Sequence, residues 1–352
     1  MTITATELRV RRAAIADISS HSVALDCGDG EAIFAVDSFA LTANNATYAA
    51  HGEDMAYWRF YPAPEGFGIV PVWGFATCVA SRAEGIAVGA RFYGYWPMAS
   101  HAHLLPSRVS PRGFVDAAAH RMGLAAVYNS YVAADAAGGF GDERAYSLFR
   151  PLYMTSFLLD DRIAEIDGLA TAVLSSASSK TALGLAHALK RRGGIRVIGL
   201  TSAANAGFTR GTGLYDEVVA YDAPFSADGP AAFVDFAGNG AVRAQAAAAL
   251  GDALAAIVIV GDTHWDAHPG APPTSGPRPE FFFAPDRVAK RTADWGAQGL
   301  QAKVEDAWQA FLASAGAWLR YDEATGADAT MSAWREVVAG KADPAVGVIR
   351  TI

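Results

Sequence analysis

The densest chemistry in this chain lies in Thr171-Ala-Val-Leu-Ser-Ser-Ala-Ser-Ser-Lys-Thr-Ala-Leu-Gly184. A short apolar run leads into a turn of very small residues, and a helix-forming segment follows. Small residues let a phosphate approach the backbone, and the first N–H groups of a helix carry partial positive charge that favours an anion. A dinucleotide-binding turn has this layout, with glycines where the chain carries Ser175, Ala177, Ser178 and Ser179. Only Gly184 remains, inside the helix. The hydroxyls of Ser175, Ser176, Ser178 and Ser179 can donate to phosphate oxygens, and Lys180, with Thr181 beside it, can add a point charge. The plainer alternative is a tight strand-to-helix turn whose serines only cap the helix. So many hydroxyls beside a lysine favour a nucleotide.

The next apolar run, Arg196–Thr201, ends in Thr201-Ser202-Ala-Ala-Asn205. A site for NAD places an acidic residue at that point to hold the ribose 2′-hydroxyl. None is present, Thr201 and Ser202 are small and neutral, and Arg210 follows in the next helical segment. A 2′-phosphate is tolerated there, so NADP(H) is the expected cofactor. The competing reading is a surface loop with incidental hydroxyls.

A second group of candidates lies earlier, where Tyr48, Tyr57, Tyr61, Tyr95 and Tyr128 belong to an unusually aromatic stretch. Aromatic clusters are more often core than site. Tyr57–Tyr61, however, sits between Pro and Gly signals, as a wall that stacks a flat apolar substrate would. Tyr48, with Asn44 beside it, could orient a carbonyl or donate a proton, and Asn129 could hydrogen-bond substrate or the cofactor amide. His264 follows the apolar strand Ala256–Gly261, at the carboxyl edge where open α/β sheets bind ligands, and is a candidate general acid. Each has a structural alternative: a packed core tyrosine or a helix-capping asparagine. His101/His103 and His264/His268 are the close histidine pairs, and neither has a thiolate or carboxylate cluster, so no metal site is expected. No serine sits in a GxSxG elbow, which argues against a Ser-His-Asp hydrolase.

The elements that must position these groups fall into two textures. About the first 130 residues alternate short β-like runs (His21–Cys27, Glu31–Leu41, Gly66–Pro71, Ala76–Ser81, Gly89–Tyr93) with turn signals. From about Tyr131, strands alternate with helices: Pro151–Asp161 helical, a strand at Ala172–Leu174, a helix at Lys180–Lys190 and a strand at Arg196–Thr201. Ala203–Gly211 is a short helix, and Glu217–Tyr221, Ala232–Ala237 and Ala256–Gly261 are strands, with a helix at Ala241–Leu250. That order predicts an α/β doubly wound parallel sheet. A Pro/Gly-rich stretch over 264–285 reads as a loop. Helix Gln298–Ala315, strand Ala317–Tyr321, helix Ala329–Ala339 and strand Gly347–Thr351 complete the chain.

A composition of 52% hydrophobic and 18% charged residues describes a packed domain structure, and a net charge of −8 argues against nucleic acid as a partner. No apolar stretch approaches twenty residues, so no membrane span is expected. The N-terminus lacks the hydrophobic segment of a secretory signal, and two isolated cysteines, Cys27 and Cys78, fit a reducing, cytoplasmic compartment.

Taken in order, the parts resemble the medium-chain dehydrogenase/reductase superfamily, particularly its zinc-free quinone oxidoreductase and enoyl reductase branch. Asn44-Asn-Ala-Thr-Tyr48 is similar to that superfamily's Asn-x-x-Asp-Thr/Tyr segment, and Ile69–Ala76 sits at its Pro-x-x-x-Gly-x-Glu. Ala87–Gly94 is similar to its Val-Gly-Asp-Arg-Val-x-Gly, Phe233–Gly238 to its Val-x-Asp-x-x-Gly, and Ile257–Gly261 to the strand that ends beside the nicotinamide. The chain also resembles a divergent group known only as a domain of unknown function.

The resemblance implies a GroES-like β domain at 1–133, a Rossmann domain at 134–290 and a C-terminal return at 291–352. It implies Gly238 and Gly261 at the cofactor and Tyr57, Tyr61, Tyr95 and Tyr128 along the substrate cleft. Gly74-Phe75-Ala76 replaces the zinc branch's Gly-His-Glu and its four-cysteine lobe is missing, so the expected enzyme is zinc-independent. The implied reaction is NADP(H)-dependent hydride transfer to or from an activated C=C or C=O of a small apolar or aromatic substrate. A non-redox lyase or retro-aldol catalyst on the same scaffold is one alternative, and a cofactor-free binding protein is another. Strand Ala256–Gly261 and Phe281–Phe283 are apolar enough to pair two copies into a homodimer.

Overall fold

The structure, a computed structural model, describes residues 2–135, 140–261 and 276–352. The chain forms two compact units, Met1–Leu148 with Tyr321–Ile352, and Phe149–Arg320.

In the first unit the buried strand Ala32–Leu41 is central. It pairs antiparallel with Pro71–Ser81 on one side and with the last strand, Val346–Thr351, on the other. Arg91–Pro97 pairs with Pro71–Ser81, and Ser130–Ala133, Gly113–Asp116 and Pro106–Ser110 extend the sheet beyond it. Side chains alternate across a strand, so Phe92 and Trp96 face one way and Tyr93 and Tyr95 the other. The register sets Tyr95 opposite Trp73 and Tyr93 opposite Phe75, which makes one sheet face an aromatic wall. Gly66–Pro71 yields only the two-residue strand Phe67–Gly68. An additional hairpin, Thr2–Arg11 with Ala14–Asp26, precedes the sheet. Its first arm carries no clean two-residue hydrophobic period in sequence, and Ala5, Leu8 and Val10 are the residues it buries.

The second unit is a six-stranded parallel sheet in the order Glu217–Ala220, Arg196–Thr201, Thr171–Leu174, Ala231–Asp235, Leu254–Ile259, Glu280–Phe281. The two central strands, Thr171–Leu174 and Ala231–Asp235, are buried along their whole length, as a sheet covered by helices on both faces requires. The chain starts in the middle, builds outward to Glu217–Ala220, then returns to the other side. The order therefore reverses between Thr171–Leu174 and Ala231–Asp235, the place where open α/β sheets bind ligands.

Helix Lys180–Arg192 crosses back over this sheet against helix Glu143–Ile163, which is longer than the expected Pro151–Asp161 and holds Pro151 inside it. A Cβ at Gly184 would lie 2.6 Å from Ser156 Oγ and 3.2 Å from the Tyr153 ring, so the surviving glycine serves helix-to-helix contact. Within Ala284–Ala315 the backbone breaks at Gly296 (φ 73°, ψ 158°), so the helix expected at Gln298–Ala315 is present and a second helical piece precedes it. Its Leu300 and Val304 lie in the core of this second unit, so the return to the first unit begins at Tyr321 and not at 291. The strand expected at Ala317–Tyr321 starts only at Arg320, because Gly316 and Trp318 donate back to Leu312 and Ala315 and close the helix first.

Candidate functional site

The serine turn follows strand Thr171–Leu174 at the point where the sheet order reverses, and its hydroxyls are committed differently. The Ser175 side chain is fully buried: its O–H donates to Asp235 Oδ1 at 2.9 Å, and its oxygen accepts the N–H groups of Phe236 and Ala237 at 2.9 and 3.0 Å. A hydroxyl has one donor and two acceptor positions, so Ser175 is saturated. Asp235 also accepts the Gly238 N–H at 3.1 Å on Oδ1 and the Arg243 guanidinium at 2.9 and 3.0 Å on Oδ2. Ser175 thus fastens two strand ends together instead of facing a ligand.

Ser176 adopts the left-handed backbone usual for glycine, with φ 48°, and its N–H donates to the Tyr221 hydroxyl at 2.9 Å. Burial pushes the Tyr221 phenol up to about 12. Ala177 donates its N–H to Leu200 and is buried. Ser178 Oγ accepts from Asn205 Nδ2 at 3.0 Å and from the Thr201 hydroxyl at 3.4 Å. Ser179 caps helix Lys180–Arg192, its oxygen accepting the Ala182 N–H. Lys180 and Thr181 form the half-buried first turn of that helix.

At the neighbouring strand end, Thr201 is buried and the exposed Ser202 caps helix Ala203–Gly211. Arg210 lies in that helix's last turn, about 12 Å from Ser202 along the axis at roughly 1.5 Å per residue. Ser202 and Arg210 are therefore not brought together, and the cation expected beside the 2′-phosphate is displaced by helix length. Gly238 (φ 71°) closes the loop after Ala231–Asp235, and Gly261 follows Leu254–Ile259 with its N–H toward the Asp235 carbonyl at 3.4 Å. Ser175–Thr181, Thr201–Ser202, Gly238 and Gly261 thus share one sheet edge. His264, with Asp262 and His268, lies outside the described residues.

In the first unit, helix Ala43–Ala50 sets Asn44 and Tyr48 one turn apart, and the Asn44 side chain hydrogen-bonds the Tyr48 hydroxyl. Trp73 Nε1 donates to that hydroxyl at 3.4 Å, and Tyr128 also bonds it. The Tyr57 and Tyr128 phenols are hydrogen-bonded as well. Ring centroids lie 4.5 Å apart for Tyr48 and Tyr57, 5.5 Å for Tyr48 and Tyr95, and 4.7 Å for Tyr95 and Tyr128. Burial holds the Tyr48, Tyr95 and Tyr128 phenols well above their ordinary range, so all three are neutral proton holders.

Tyr61 belongs to a separate knot. Its hydroxyl donates to the Tyr95 carbonyl, and the buried Arg121, ion-paired to Asp116 at 2.8 Å, stacks on its ring. Asn129 Nδ2 reaches the Arg121 carbonyl at 3.5 Å. Tyr48, Asn44, Tyr57, Tyr95 and Tyr128 therefore form one group, while Tyr61 and Asn129 are turned toward Arg121.

Sequence reading passed over Asp235 with Arg243, Asn205, Tyr221 and Trp73 as site residues. A signal for the first pair was present: Asp235 ends an apolar strand, and Arg243 is the sole cation of helix Gly240–Leu250. Among the described residues no three His, Cys, Asp or Glu side chains come together to hold a metal ion, and no helix is long and apolar enough to cross a membrane. The donor set at the sheet edge suits an anionic dinucleotide: two helix N-termini carry serine caps, and the nearby Asp235 carboxylate is paired with Arg243.

A GroES-like unit and a Rossmann unit together define the fold of the medium-chain dehydrogenases/reductases, and solved structures of that class match along the whole chain. CurA from Vibrio vulnificus, solved with NADPH, is 14% identical with a TM-score of 0.65, covering 98% of each chain. A mutant enoyl thioester reductase from Candida tropicalis is 11% identical with a TM-score of 0.60, over 99% of this chain and 100% of its own. The yhdH oxidoreductase of Salmonella enterica, solved with NADP, is 15% identical with a TM-score of 0.55 over the full length of both. No curated protein matches the sequence. A family model described as "Protein of unknown function (DUF2855)" matches residues 39–343, and the chain belongs to that family.

Proposed function

We propose that the protein is a zinc-independent, NADP(H)-dependent oxidoreductase acting on an activated C=C or C=O of a small apolar or aromatic substrate. The observation that carries this reading is the sheet edge, where the serine-capped helix at the strand-order reversal lies next to a second serine-capped helix that follows Arg196–Thr201, a strand that ends without a carboxylate. The NADPH and NADP bound in structures of the same fold support it.

Ser178, Ser179, Lys180 and Thr181 would hold the pyrophosphate. Ser202 with the first N–H groups of its helix would hold the 2′-phosphate, and Gly238 and Gly261 would let the backbone approach the nicotinamide half. When bound, the nicotinamide supplies or accepts the hydride. On the substrate side the neutral Tyr48 O–H, oriented by Asn44 and Tyr128, donates to the carbonyl oxygen, and Tyr57 and Trp73 stack against its flat face. We also propose that the exposed Phe281, on edge strand Glu280–Phe281, pairs two copies into a homodimer.

The test is a NADPH titration followed by nicotinamide fluorescence, then turnover with quinones and enones. Saturable binding with oxidation by either acceptor is expected, and absence of binding would overturn the reading. Y48F should lower kcat about 10²–10⁴-fold with little change in nucleotide affinity, while an equal loss in H264Q alone would reassign the proton donor.

A further inference from the structure

We infer that Ser178 is the hydroxyl this chain aims at the phosphate of a bound nucleotide, and that Asn205 is the positioning residue that makes it a donor. The inference rests on the nucleotide-binding reading above and assigns the serines of the turn unequal roles. Ser175 has no hydrogen-bonding position left. Ser176 is engaged with Tyr221 through its N–H and its side chain, and Ser179, which caps its helix, has one acceptor position filled. Ser178 differs, because its oxygen accepts from both Asn205 Nδ2 and the Thr201 hydroxyl. With both acceptor positions filled, the only capacity remaining on Ser178 is its own proton, and an anion is the partner that proton suits.

Asn205 is well placed to impose this. It is the third residue of helix Ala203–Gly211, and its N–H is tied to the Ser202 cap through Oγ at 3.3 Å and the carbonyl at 3.0 Å. From there the carboxamide reaches across to the serine turn, so one side chain links two helix starts that both favour negative charge. An aspartate at the same position would reverse the polarity. Its carboxylate would accept the Ser178 proton and turn it away from the phosphate, and it would add repulsion.

The full-length protein, titrated with NADPH and with NADH by nicotinamide fluorescence, tests this. Wild type is expected to bind saturably. S178A and N205A should each raise Kd about tenfold, as loss of one hydrogen bond to a charged group does. The double variant should be no weaker than S178A alone, because Asn205 acts through Ser178. S178T, which keeps a hydroxyl, should retain most of the affinity, and N205D should bind more weakly than N205A. The losses should be equal for NADPH and NADH, since the pyrophosphate is common to both. Melting of the nucleotide-free variants provides the folding control.

Wild-type affinity in both S178A and N205A would overturn the inference while leaving the functional reading intact. Multiplicative losses in the double variant would refute Asn205 as a positioning residue. A loss confined to NADPH would move the contact to the 2′-phosphate. Absence of binding by wild type would overturn the inference and the functional reading together.

Discussion

At the scale of single residues, four serines that look alike in sequence differ once their hydrogen bonds are assigned. Removing the Ser175 hydroxyl leaves the buried Phe236 N–H without an acceptor, while Ala237 keeps Asp235 Oδ1, so S175A should lower stability by about 1–3 kcal/mol in denaturant unfolding. Its effect on NADPH affinity should be smaller than that of S178A, and the reverse ranking would contradict the division of roles. The buried phenols give a pH prediction. Burial raises Tyr48, Tyr95, Tyr128 and Tyr131 in the folded state above their unfolded value of about 10. The stability they confer is therefore intact below about pH 10 and falls as pH rises beyond it. Tyrosinate absorbance from these groups should appear together with loss of near-UV circular dichroism. Their titration in a chain that keeps its tertiary signal would count against their burial. The chemical identity of the turn was legible in sequence, but the allocation of its hydroxyls was not, because Asp235, Tyr221 and Asn205 approach from other strands and helices.

Elements show the same balance. The parallel sheet was readable almost strand by strand, since Thr171–Leu174 and Arg196–Thr201 are short apolar runs bounded by turn residues. The helix expected from Pro151 was read too short, because Pro151 marks a helix start in sequence while here it lies inside Glu143–Ile163, whereas Gly296 is a true break just before the helix expected at Gln298–Ala315. The lone Gly184 first read as a remnant of the phosphate fingerprint, and its neighbours show it to be a packing residue. G184A should push the new methyl against Ser156 and cost about 1–3 kcal/mol. Thermal melting should register that loss, and S156A should recover part of it. If G184A melts like wild type, helices Glu143–Ile163 and Lys180–Arg192 are not in the close contact described.

For the whole molecule, the apolar edge and the nucleotide edge make separate claims. Phe281 is 60% exposed and Phe283 43%, at the outer strand of the parallel sheet. F281D should convert a dimer to a monomer in sedimentation without altering nucleotide affinity, and a wild-type monomer would remove the proposed pairing. The order of the two units follows from the change in hydrophobic period along the chain. The point where the first unit resumes, Tyr321, did not, because helix Ala284–Ala315 shows an apolar face without revealing which unit covers it. The central claim is that the serine turn and the helix that follows Ser202 hold a 2′-phosphorylated dinucleotide. Parallel titrations of the wild-type protein with NADPH and NADH test it most directly. Saturable binding with NADPH clearly tighter is the predicted result, and failure to bind either, or equal affinity for both, would contradict the account.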